Sequence, residues 1–550
     1  MKRVMALAGD GCLSGHGMPP GQSVDRAAAR HHGSEGGDAL SIEELLTPTA
    51  FPHPITQLEL RETHLSWLVL TGTVAYKIKK PVRFEFIDAG TLERRRLLCE
   101  EELRLNRRLA PEIYLQVVPI VRTEGGVSIG GTGKAIEYAV AMQQFPAGDE
   151  LPRLLTRADV EVNEMSALGE LLAEFHGKAP TSSAARAPDR QYESVLGNLT
   201  ELVAHLGPLE PPPGLRRIIA WAREQVQALE PTFRLRERSG FVRECHGDLH
   251  AANIVRWNHA LVPFDCLEFE PQLRWIDVIN DVAFLVMDLV SHERQDLAFA
   301  LLSRYLEVTG DYDGIGLLPF YAAYRALVRA KVDALTAEQI PARAGDLRNR
   351  LHHRVAAAAS WMSPHQASLI LMHGPSGAGK SWLSERLVPR LRAVRIRSDV
   401  ERRRLAGTPA GSTVSGVRQG IYSAQFSHRT YGRLADCAES CLRAGFSAIV
   451  DATFLEAADR ELFRALARHT GANLVIVSCQ SDPVTLSRRV LERSTWHTDA
   501  ADASLAILDT QLREFAPFTL AEQSCVIAVD TCEPHAVQRV ATAIEARSSG

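Results

Sequence analysis

The amino-acid sequence predicts an α/β multidomain protein in which a two-lobed α+β domain precedes an α/β domain built on a parallel sheet. The chain has 550 residues, which is too long for one hydrophobic core and favours at least two domains. Short strand-like stretches and then long helical stretches come first, whereas short strands and helices alternate near the C-terminus. We therefore predict a disordered extension at residues 1–38, a first domain at 39–360, a linker at 361–366 and a second domain at 367–545.

The composition is typical of a globular protein of the reducing cytoplasm. Apolar residues make up 45% of the chain and the formal net charge is −4, which gives no general attraction to nucleic acids or anionic membranes. No apolar run approaches the ~18 residues that span a bilayer. The nine cysteines are odd in number and form no C-x-x-C pair, which argues against a disulfide framework and a thiolate zinc site. We therefore expect a cytoplasmic protein without a membrane segment.

The first domain is predicted to begin with a β-hairpin. Apolar stretches at 67–70 and 74–79 flank a Thr-Gly-Thr turn. A helix rich in Glu, Arg and Leu follows at 91–109, with further strands near 115–121 and 135–145. The later part of the domain is mainly helical, so the pattern predicts a small mixed lobe followed by a larger helical lobe.

The strongest motif is a glycine-rich phosphate loop that follows an apolar strand and precedes a helix. It fits G-x-x-x-x-G-K-[ST] and consists of Gly374, Pro375, Ser376, Gly377, Ala378, Gly379, Lys380 and Ser381. The glycines let backbone N–H groups surround phosphates, and Lys380 reaches the β and γ oxygens. The Ser381 hydroxyl is suited to ligate Mg²⁺. The second domain is therefore predicted to bind ATP with Mg²⁺.

Further candidates follow the phosphate loop in the sequence. Asp399, after the expected second strand, either orients an acceptor hydroxyl or caps the next helix. Asp451 ends an apolar run and either holds Mg²⁺ through water or is a strand-end turn residue. Arg488 and Arg493 either belong to a lid that meets the transferring phosphate or are solvated helix charges. Around these residues the domain resembles the zeta-toxin, gluconate and polynucleotide kinase group.

The chemistry of the first domain is concentrated in a short His-Gly-Asp segment. Asp248 and Asn253 are five residues apart, the spacing of H-R-D-x-x-x-x-N in protein kinases. Glycine in place of arginine, with His250 two residues after the aspartate, resembles the aminoglycoside and choline phosphotransferases. That resemblance implies that Asp248 positions and deprotonates the acceptor hydroxyl and that Asn253 binds metal. Asp265, which ends another apolar run, matches the second metal-binding aspartate.

An ATP-binding lysine is expected on the second strand of the hairpin. Lys77 ends a V-A-Y-K sequence similar to V-A-I-K of kinases, and Lys79 points to the same side of the strand. Lys77 is the preferred choice, and the alternative stays open. Among the glutamates of the following helix, Glu102 is the expected partner carboxylate. The loop before Trp67 lacks the glycines with which a kinase loop closes over phosphates.

Three more predictions concern the catalytic loop and its surroundings. The resemblance implies that Asp281 braces this loop, and His246 is expected to brace it as well. Arg325 and Arg329 share a helix face at i, i+4, where they either hold an anionic acceptor or form a solvated face. From about residue 40 to 545 the chain resembles a bacterial group in which a phosphotransferase-like domain is fused to a P-loop domain.

The preferred hypothesis for function is a bifunctional ATP-dependent phosphotransferase that acts on hydroxyls of small molecules with Mg²⁺. One alternative is that the first domain only senses nucleotide and regulates an active P-loop kinase. Another is phosphorylation of nucleic-acid ends, suggested by the arginines at 402–404; it is less favoured because aromatic stacking platforms are not evident. The sequence leaves the acceptor and the oligomeric state open.

Overall fold

The computed structural model describes most of the chain between residues 40 and 548. The described residues are 40–84, 87–182, 195, 197, 200–201, 212–339, 344–362, 366–408, 423–496, 505–513 and 516–548. The predicted extension at 1–38 lies outside them. Two compact units combine separate stretches of chain. The first unit comprises Met1–Asp159, Ala179–Phe284 and Ala326–Ala356, and the second comprises Val160–Lys178, Leu285–Arg325 and Ala357–Gly550.

The first unit begins with an antiparallel sheet and a helix. Its strands are β1 (Glu59–Glu62), β2 (Ser66–Leu70), β3 (Val74–Lys79), β4 (Arg83–Phe84), β5 (Ile87–Asp88), β6 (Tyr114–Thr123), β7 (Gly126–Ile129) and β8 (Ala135–Gln143). The main sheet has the order β1-β2-β3-β8-β6-β7, and β4 pairs with β5. Helix α1 (Leu92–Asn106) packs against β8, with the Thr91 hydroxyl accepting the Arg94 amide at its start.

The two faces of this sheet bury different clusters because successive strand residues point to opposite sides. Tyr76 and Ile78 lie in one cluster, while Val140 and Cys99 lie in the other. On β3, Lys77 pairs with Leu68 of β2 and Val140 of β8, so the lysine stands in the middle of the sheet.

Helices dominate the chain after β8. They are α2 (Leu151–Thr156), α3 (Val162–Lys178), α4 (Leu215–Arg238), α5 (Val278–Ser291), α6 (Gln295–Thr309), α7 (Leu318–Gln339) and α8 (Ala344–Ser360). Short strands lie between α4 and α5: β9 (Val242–Glu244), β10 (Ile254–Trp257), β11 (Ala260–Pro263) and β12 (Trp275–Asp277). The β10–β11 hairpin and the β9–β12 pair are antiparallel, and they frame the His-Gly-Asp segment.

The second unit contains a parallel sheet of the order β14-β15-β13-β16-β17. Its strands are β13 (Ser368–His373), β14 (Ala393–Arg397), β15 (Ser447–Asp451), β16 (Asn473–Gln480) and β17 (Val526–Asp530). The helices of this part are α9 (Lys380–Leu391), α10 (Ser398–Ala406), α11 (Ala424–Arg443), α12 (Ala457–Thr470), α13 (Pro483–Trp496), α14 (Leu505–Arg513), α15 (Leu520–Gln523) and α16 (Ala536–Ser548). The antiparallel sheet with a helical lobe, followed by the parallel sheet, confirms the predicted fold class.

Helices α3 and α6 precede the parallel sheet in the sequence but belong to the same compact unit. They pack against each other, and α6 also packs against β14. The second compact unit combines segments from both sides of residues 361–366, and the predicted domain boundaries stay a prediction. Within the part of the chain that the structure describes, no helix is both long and apolar enough to cross a lipid bilayer.

Replacement of Gly169 by alanine is expected to destabilise the α3–α6 pair. A Cβ atom at this position would lie 2.5 Å from the Leu301 carbonyl oxygen, so the helices would have to separate. We expect Gly169→Ala to lower the free energy of unfolding by roughly 1–3 kcal/mol, measured by urea denaturation. Gly177→Ala is the matched control, because nothing lies within 4 Å of a Cβ there on the same helix. Equal stability of the two variants would contradict this packing.

Candidate active sites

In the first unit, Lys77 lies between two carboxylates that come from distant parts of the sequence. Its Nζ is 2.8 Å from Glu102 Oε1 on α1 and 2.6 Å from Asp265 Oδ1 after β11. The Lys77 side chain is only 10% exposed and Glu102 is fully buried. The structure thus brings together the predicted lysine, its expected glutamate and the predicted metal-binding aspartate.

A second lysine shares the same glutamate. Lys79 Nζ is 2.5 Å from Glu102 Oε2 and also forms an ion pair with Glu268, three residues after Asp265. Sequence reasoning left Lys79 open as an alternative and missed Glu268 altogether. Only Lys77 of the two lysines is ion-paired with Asp265, whereas Lys79 is almost completely buried between its two carboxylates. This difference favours Lys77 for contact with nucleotide phosphates and Lys79 for holding Glu102.

The opposite charges of this cluster keep the buried groups ionised. Burial alone would raise the pKa of Glu102, but Lys77 and Lys79 outweigh it and lower that pKa to about 2. Burial would likewise lower the pKa of Lys77, but Asp265, Glu102 and Glu268 hold it well above its ordinary value. The lysine and the glutamate are therefore both charged at neutral pH.

Asp248 and Asn253 meet in the loop between β9 and β10, residues 245–253, which we call the catalytic loop. Asn253 Nδ2 donates to Asp248 Oδ2 over 3.0 Å. The His250 ring accepts the Ala252 amide at Nδ1, and its Nε2 lies 3.4 Å from Asp248 Oδ2. In the described part of the chain no hydrogen bond reaches Asp248 Oδ1, which leaves that oxygen for an acceptor hydroxyl.

Asp281 and the His246 ring brace the catalytic loop. The buried Asp281 carboxylate accepts the backbone amides of His246 and Gly247, each over 2.9 Å. The His246 ring lies 2.9 Å from the Phe264 carbonyl oxygen and 3.3 Å from the Asp248 amide. Gly247 has a φ of 85°, and a Cβ atom there would lie 3.0 Å from the Leu273 carbonyl oxygen. Asp281 and His246 thus occupy the bracing positions that the sequence analysis expected.

The loop that carries Asp265 has an unusual backbone. Its φ is 61°, a left-handed conformation that residues with a side chain rarely adopt. The Asp265 amide donates to the Tyr114 hydroxyl over 3.2 Å, and the next amide, of Cys266, donates to Asn106 Oδ1 over 2.8 Å. The sheet and α1 together hold the aspartate in this conformation, which directs its carboxylate to Lys77.

The residues of this site fit a hard divalent cation. Asn253 Oδ1 is buried and accepts no hydrogen bond from the described residues. The Phe264 amide donates to the Asn253 carbonyl oxygen over 2.9 Å, which joins the catalytic loop to the segment that carries Asp265. Amide and carboxylate oxygens are the ligands that Mg²⁺ prefers. The buried Asn253 Oδ1 and the Asp265 carboxylate are therefore groups of the kind that could hold such a cation.

An apolar cleft of about 400 Å³ opens beside Lys77 and Asp265. It is lined by residues of the sheet and of the segments that follow β8 and β11: Leu68, Leu70, Ala75, Tyr114, Met142, Gln143, Gln144, Phe145 and Phe264. Its apolar walls suit a planar base.

The two arginines of α7 have different surroundings. Arg325 is 2% exposed, which excludes a solvated face at that position. Arg329 is half-buried, and its Nη1 lies 3.2 Å from His250 Nε2 in the catalytic loop. Burial would raise the pKa of Asp248, but His250, Arg329 and His246 outweigh it and hold that pKa below its ordinary value.

In the second unit, the phosphate loop joins β13 to α9. Gly374, Gly377 and Gly379 have φ values of 136°, 83° and 82°. A Cβ atom on Gly377 would lie 2.8 Å from the Leu486 carbonyl oxygen, so the loop also packs too closely for a side chain. Lys380 Nζ donates to the Pro375 carbonyl oxygen over 2.9 Å and thus arches over the loop. This backbone is suited to present N–H groups to phosphate.

Asp451 ends β15 next to β13 and reaches the first turns of α9. Its Oδ2 accepts the Ser384 hydroxyl over 3.0 Å, and that hydroxyl is also 3.1 Å from the Ser381 carbonyl oxygen. Sequence reasoning missed Ser384, although it lies one helical turn after Ser381 and four residues after Lys380 on the same helix face. It missed Gln511 as well, whose Oε1 accepts the Ser376 amide over 2.8 Å; no signal in the sequence indicated this contact.

Helix α13 places Arg489, not Arg488, against the phosphate loop. Arg489 Nη1 donates to the Gly377 carbonyl oxygen and to the Thr531 hydroxyl, each over 3.1 Å. Arg488 has a side chain that is 66% exposed, with its Nε 3.9 Å from Glu492 Oε1. The side chain of Arg493 lies outside the described residues. Neighbouring helix residues point about 100° apart, so the sequence alone did not indicate which arginine faces the loop.

Asp399 lies in the first turn of α10, after β14. Its Oδ2 accepts Arg397 Nη2 over 3.0 Å, and its Oδ1 accepts the Val400 amide over 3.1 Å. The side chain is 22% exposed. Both interpretations from the sequence, contact with an acceptor hydroxyl and stabilisation of a helix start, are compatible with this place.

Comparisons with known proteins found one matching family model and several similar solved structures. Residues 369–518, which contain the phosphate loop, match the AAA domain family. Among solved structures, the chain is similar to a choline/ethanolamine kinase family protein from Mesorhizobium loti, with 13% identity, 57% of this chain and 90% of that chain covered, and a TM-score of 0.36. It is also similar to a gluconokinase from Sinorhizobium meliloti, with 17% identity, 34% and 95% covered, and a TM-score of 0.25.

Relatives of nearly full length occur in mycobacteria. An uncharacterized protein of Mycobacterium tuberculosis and one of Mycobacterium bovis are each 32% identical to this chain over 471 residues. The match covers 84% of this chain and 92% of each relative. The chain therefore belongs to the same family as these mycobacterial proteins, and its residues 369–518 match the AAA domain family.

Proposed function

We propose that the protein is a bifunctional ATP-dependent phosphotransferase, in which two sites each transfer the γ-phosphoryl group of ATP to a hydroxyl of a small molecule. The observation that carries the proposal is the position of Lys77, which holds Glu102 and Asp265 next to an apolar cleft. A complete phosphate loop in the second unit supplies the other ATP site. Positioning and electrostatic stabilisation provide most of the catalysis in phosphoryl transfer.

In the first site, Asp248 is the base for the acceptor hydroxyl. Its Oδ2 is engaged by Asn253 and His250, so Oδ1 takes the hydroxyl proton. The acceptor oxygen bonds to the γ phosphorus as the bond from that phosphorus to the β–γ bridging oxygen breaks, and ADP leaves. Lys77 binds the α and β phosphates. Asn253 and Asp265 would hold Mg²⁺, and the ion would neutralise phosphate charge.

In the second site, the residues of the phosphate loop have separate tasks. The loop amides between Gly374 and Gly379 bind phosphate, and Lys380 turns from the Pro375 carbonyl oxygen to the transferring group. Ser381 and Asp451 would hold a metal ion, which would neutralise phosphate charge there. Asp399 orients the acceptor hydroxyl.

The acceptors are to be identified by a metabolite-library screen for ADP release. We expect hydroxyl compounds that stimulate ADP release by the full-length chain to fall into two sets. Asp248→Asn removes the base and is expected to abolish the first set, by about 10²–10⁴-fold in rate, while leaving the second. Asp346→Asn, on the exposed start of α8, is the charge-matched control and should retain both sets. If Asp248→Asn released ADP at the unsubstituted rate with every compound of the library, the proposed role of this aspartate would be contradicted.

The pH dependence of transfer at the first site follows from the environment of Asp248. The base form is lost only as pH falls through its folded pKa, and this pKa lies below the ordinary 3.8. His250→Gln removes a group that lowers the pKa while burial still raises it, so the acid limb should move to higher pH. The rate of transfer to an acceptor from the first set, measured from pH 8 down to about pH 3, checks this. His353→Gln, exposed on α8, should leave the limb unchanged.

Two independent nucleotide sites are expected in calorimetry. A non-hydrolysable ATP analogue with Mg²⁺ should bind at two sites per chain. Lys380→Ala should weaken one of them at least about tenfold, since it removes the charge that contacts the phosphates. Lys178→Ala, in which the exposed lysine at the end of α3 is lost, should keep both sites. A single binding event in the unsubstituted chain would refute the two-site proposal.

A second candidate function is favoured by the turn between β1 and β2. This turn contains no glycine, and it is closed by bonds of 2.9 and 3.0 Å between Thr63 and Ser66. A tight turn of this kind covers phosphates less well than a glycine loop. In this alternative the first unit binds nucleotide and regulates the P-loop kinase. If this alternative holds, the Lys380→Ala chain binds nucleotide at the first unit but releases no ADP with any acceptor.

A further inference from the structure

Strand β14 forms the edge of the parallel sheet, and α6 covers it. The Arg395 amide on this strand donates to the Ser303 hydroxyl of α6 over 3.0 Å. The Arg395 carbonyl oxygen accepts the Tyr312 hydroxyl, just after α6, over 3.3 Å. Backbone groups that a free edge would expose are thus satisfied by side chains from α6 and its C-terminal extension.

Glu307, near the end of α6, is a buried carboxylate surrounded by arginines. It is 3% exposed. Its Oε2 is 3.1 Å from Arg395 Nη2, and its Oε1 is 3.4 Å from Arg397 Nη1 and 2.6 Å from Arg304 Nη1. Arg395 and Arg397 are two residues apart on β14, so both point to the side on which α6 lies. Burial would raise the pKa of Glu307, but these arginines outweigh it and lower the pKa, so the group is ionised at neutral pH.

The other terminal nitrogen of each of these two β14 arginines contacts the phosphate-loop site. Arg395 Nη1 donates to the Ser381 carbonyl oxygen over 3.3 Å, at the start of α9. Arg397 Nη2 donates to Asp399 Oδ2 over 3.0 Å. Glu307 is therefore connected through Arg395 to Ser381, which is suited to hold Mg²⁺. Through Arg397 it is connected to Asp399, which is suited to orient the acceptor.

The end of α6 is fixed by two further arginines of the same unit. Arg404 Nη2 donates to the Glu307 carbonyl oxygen over 2.6 Å, and Arg433 Nη2 donates to the Gly310 carbonyl oxygen over 3.1 Å. Cations are favoured at a helix C-terminus because its last carbonyl oxygens have no partner within the helix. The carboxylate of Glu307 is thus held at a defined place relative to β14 and α10.

We propose that Glu307 is a positioning residue of the P-loop kinase site, which it organises through Arg395 and Arg397. The inference rests on the proposed function of that site. Arg397 is shared between two carboxylates, and Glu307 limits how strongly it neutralises Asp399. Without the charge of Glu307, Arg397 pairs more strongly with Asp399 and withdraws it from the acceptor, while Arg395 loses its ion pair beside Ser381.

The test uses the full-length chain with Asp248→Asn as parent, so that ADP release reports the P-loop site. ADP release from MgATP is measured without added acceptor, water taking the place of the hydroxyl. Glu307→Gln is expected to lower kcat by about tenfold to a hundredfold and to change KM for MgATP less than about twofold. Glu307→Asp keeps the charge on a shorter side chain and should restore part of kcat.

Two controls separate positioning from stability. Glu170→Gln removes another partner of Arg304, on α3, that does not contact Arg395 or Arg397, and it should leave kcat unchanged. Affinity for MgADP with and without aluminium fluoride is measured by calorimetry. Glu307→Gln should weaken the fluoride complex, which resembles the transferring phosphoryl group, by at least about tenfold and leave MgADP alone unaffected.

The outcomes distinguish this inference from the function on which it rests. Unchanged kcat in Glu307→Gln, or an equal loss of MgADP and fluoride-complex affinity, would overturn the positioning role while the kinase function stands. If Glu307→Gln does not fold, the same two measurements on Glu307→Asp decide in the same way. A parent chain that neither releases ADP nor binds MgADP would overturn the proposed function and this inference with it.

Discussion

A buried charge persists in a protein only beside an opposite charge, and this constraint organises both candidate sites. In the first unit, Lys77 is nearly buried and retains its proton because Glu102 and Asp265 lie within 2.8 Å. These two carboxylates come from α1 and from the loop after β11, so the ion pairs can form only when the sheet, the helix and that loop are correctly packed. The arrangement of the nucleotide site and the integrity of the fold thus depend on the same contacts.

The second unit follows the same rule with the charges reversed. There Glu307 is the buried ion, and the arginines of β14 surround it. A carboxylate between arginines can act at a distance, because each guanidinium has further N–H groups for a second partner. In this protein the second partners are Ser381 and Asp399, so a helix outside the phosphate-loop segment bears on that site.

Sites built from buried ion pairs suit phosphoryl transfer, because the protein forms no covalent bond in this reaction and acts mainly by positioning and by charge. The requirements are fixed positive charge for the phosphates, oxygen ligands for a metal and one carboxylate for the acceptor hydroxyl. Lys77 and the phosphate loop meet the first requirement, while the orphaned Asn253 Oδ1 and the ionised Asp248 meet the second and third in the first unit. Which acceptors are bound depends on the side chains that line the pocket around these groups and not on the fold.

The sequence by itself determined the elements of local origin: the strands of the hairpin, the parallel-sheet pattern, the phosphate loop and the spacing of Asp248 and Asn253. Periodicity, glycine placement and short motifs encode such features within a few residues. Only the tertiary structure decided that Lys79 pairs with Glu268, that Arg489 rather than Arg488 contacts the loop, and that Glu307 reaches β14. These contacts join residues far apart in the chain or select between neighbours on one helix, and packing, which no local pattern records, sets them.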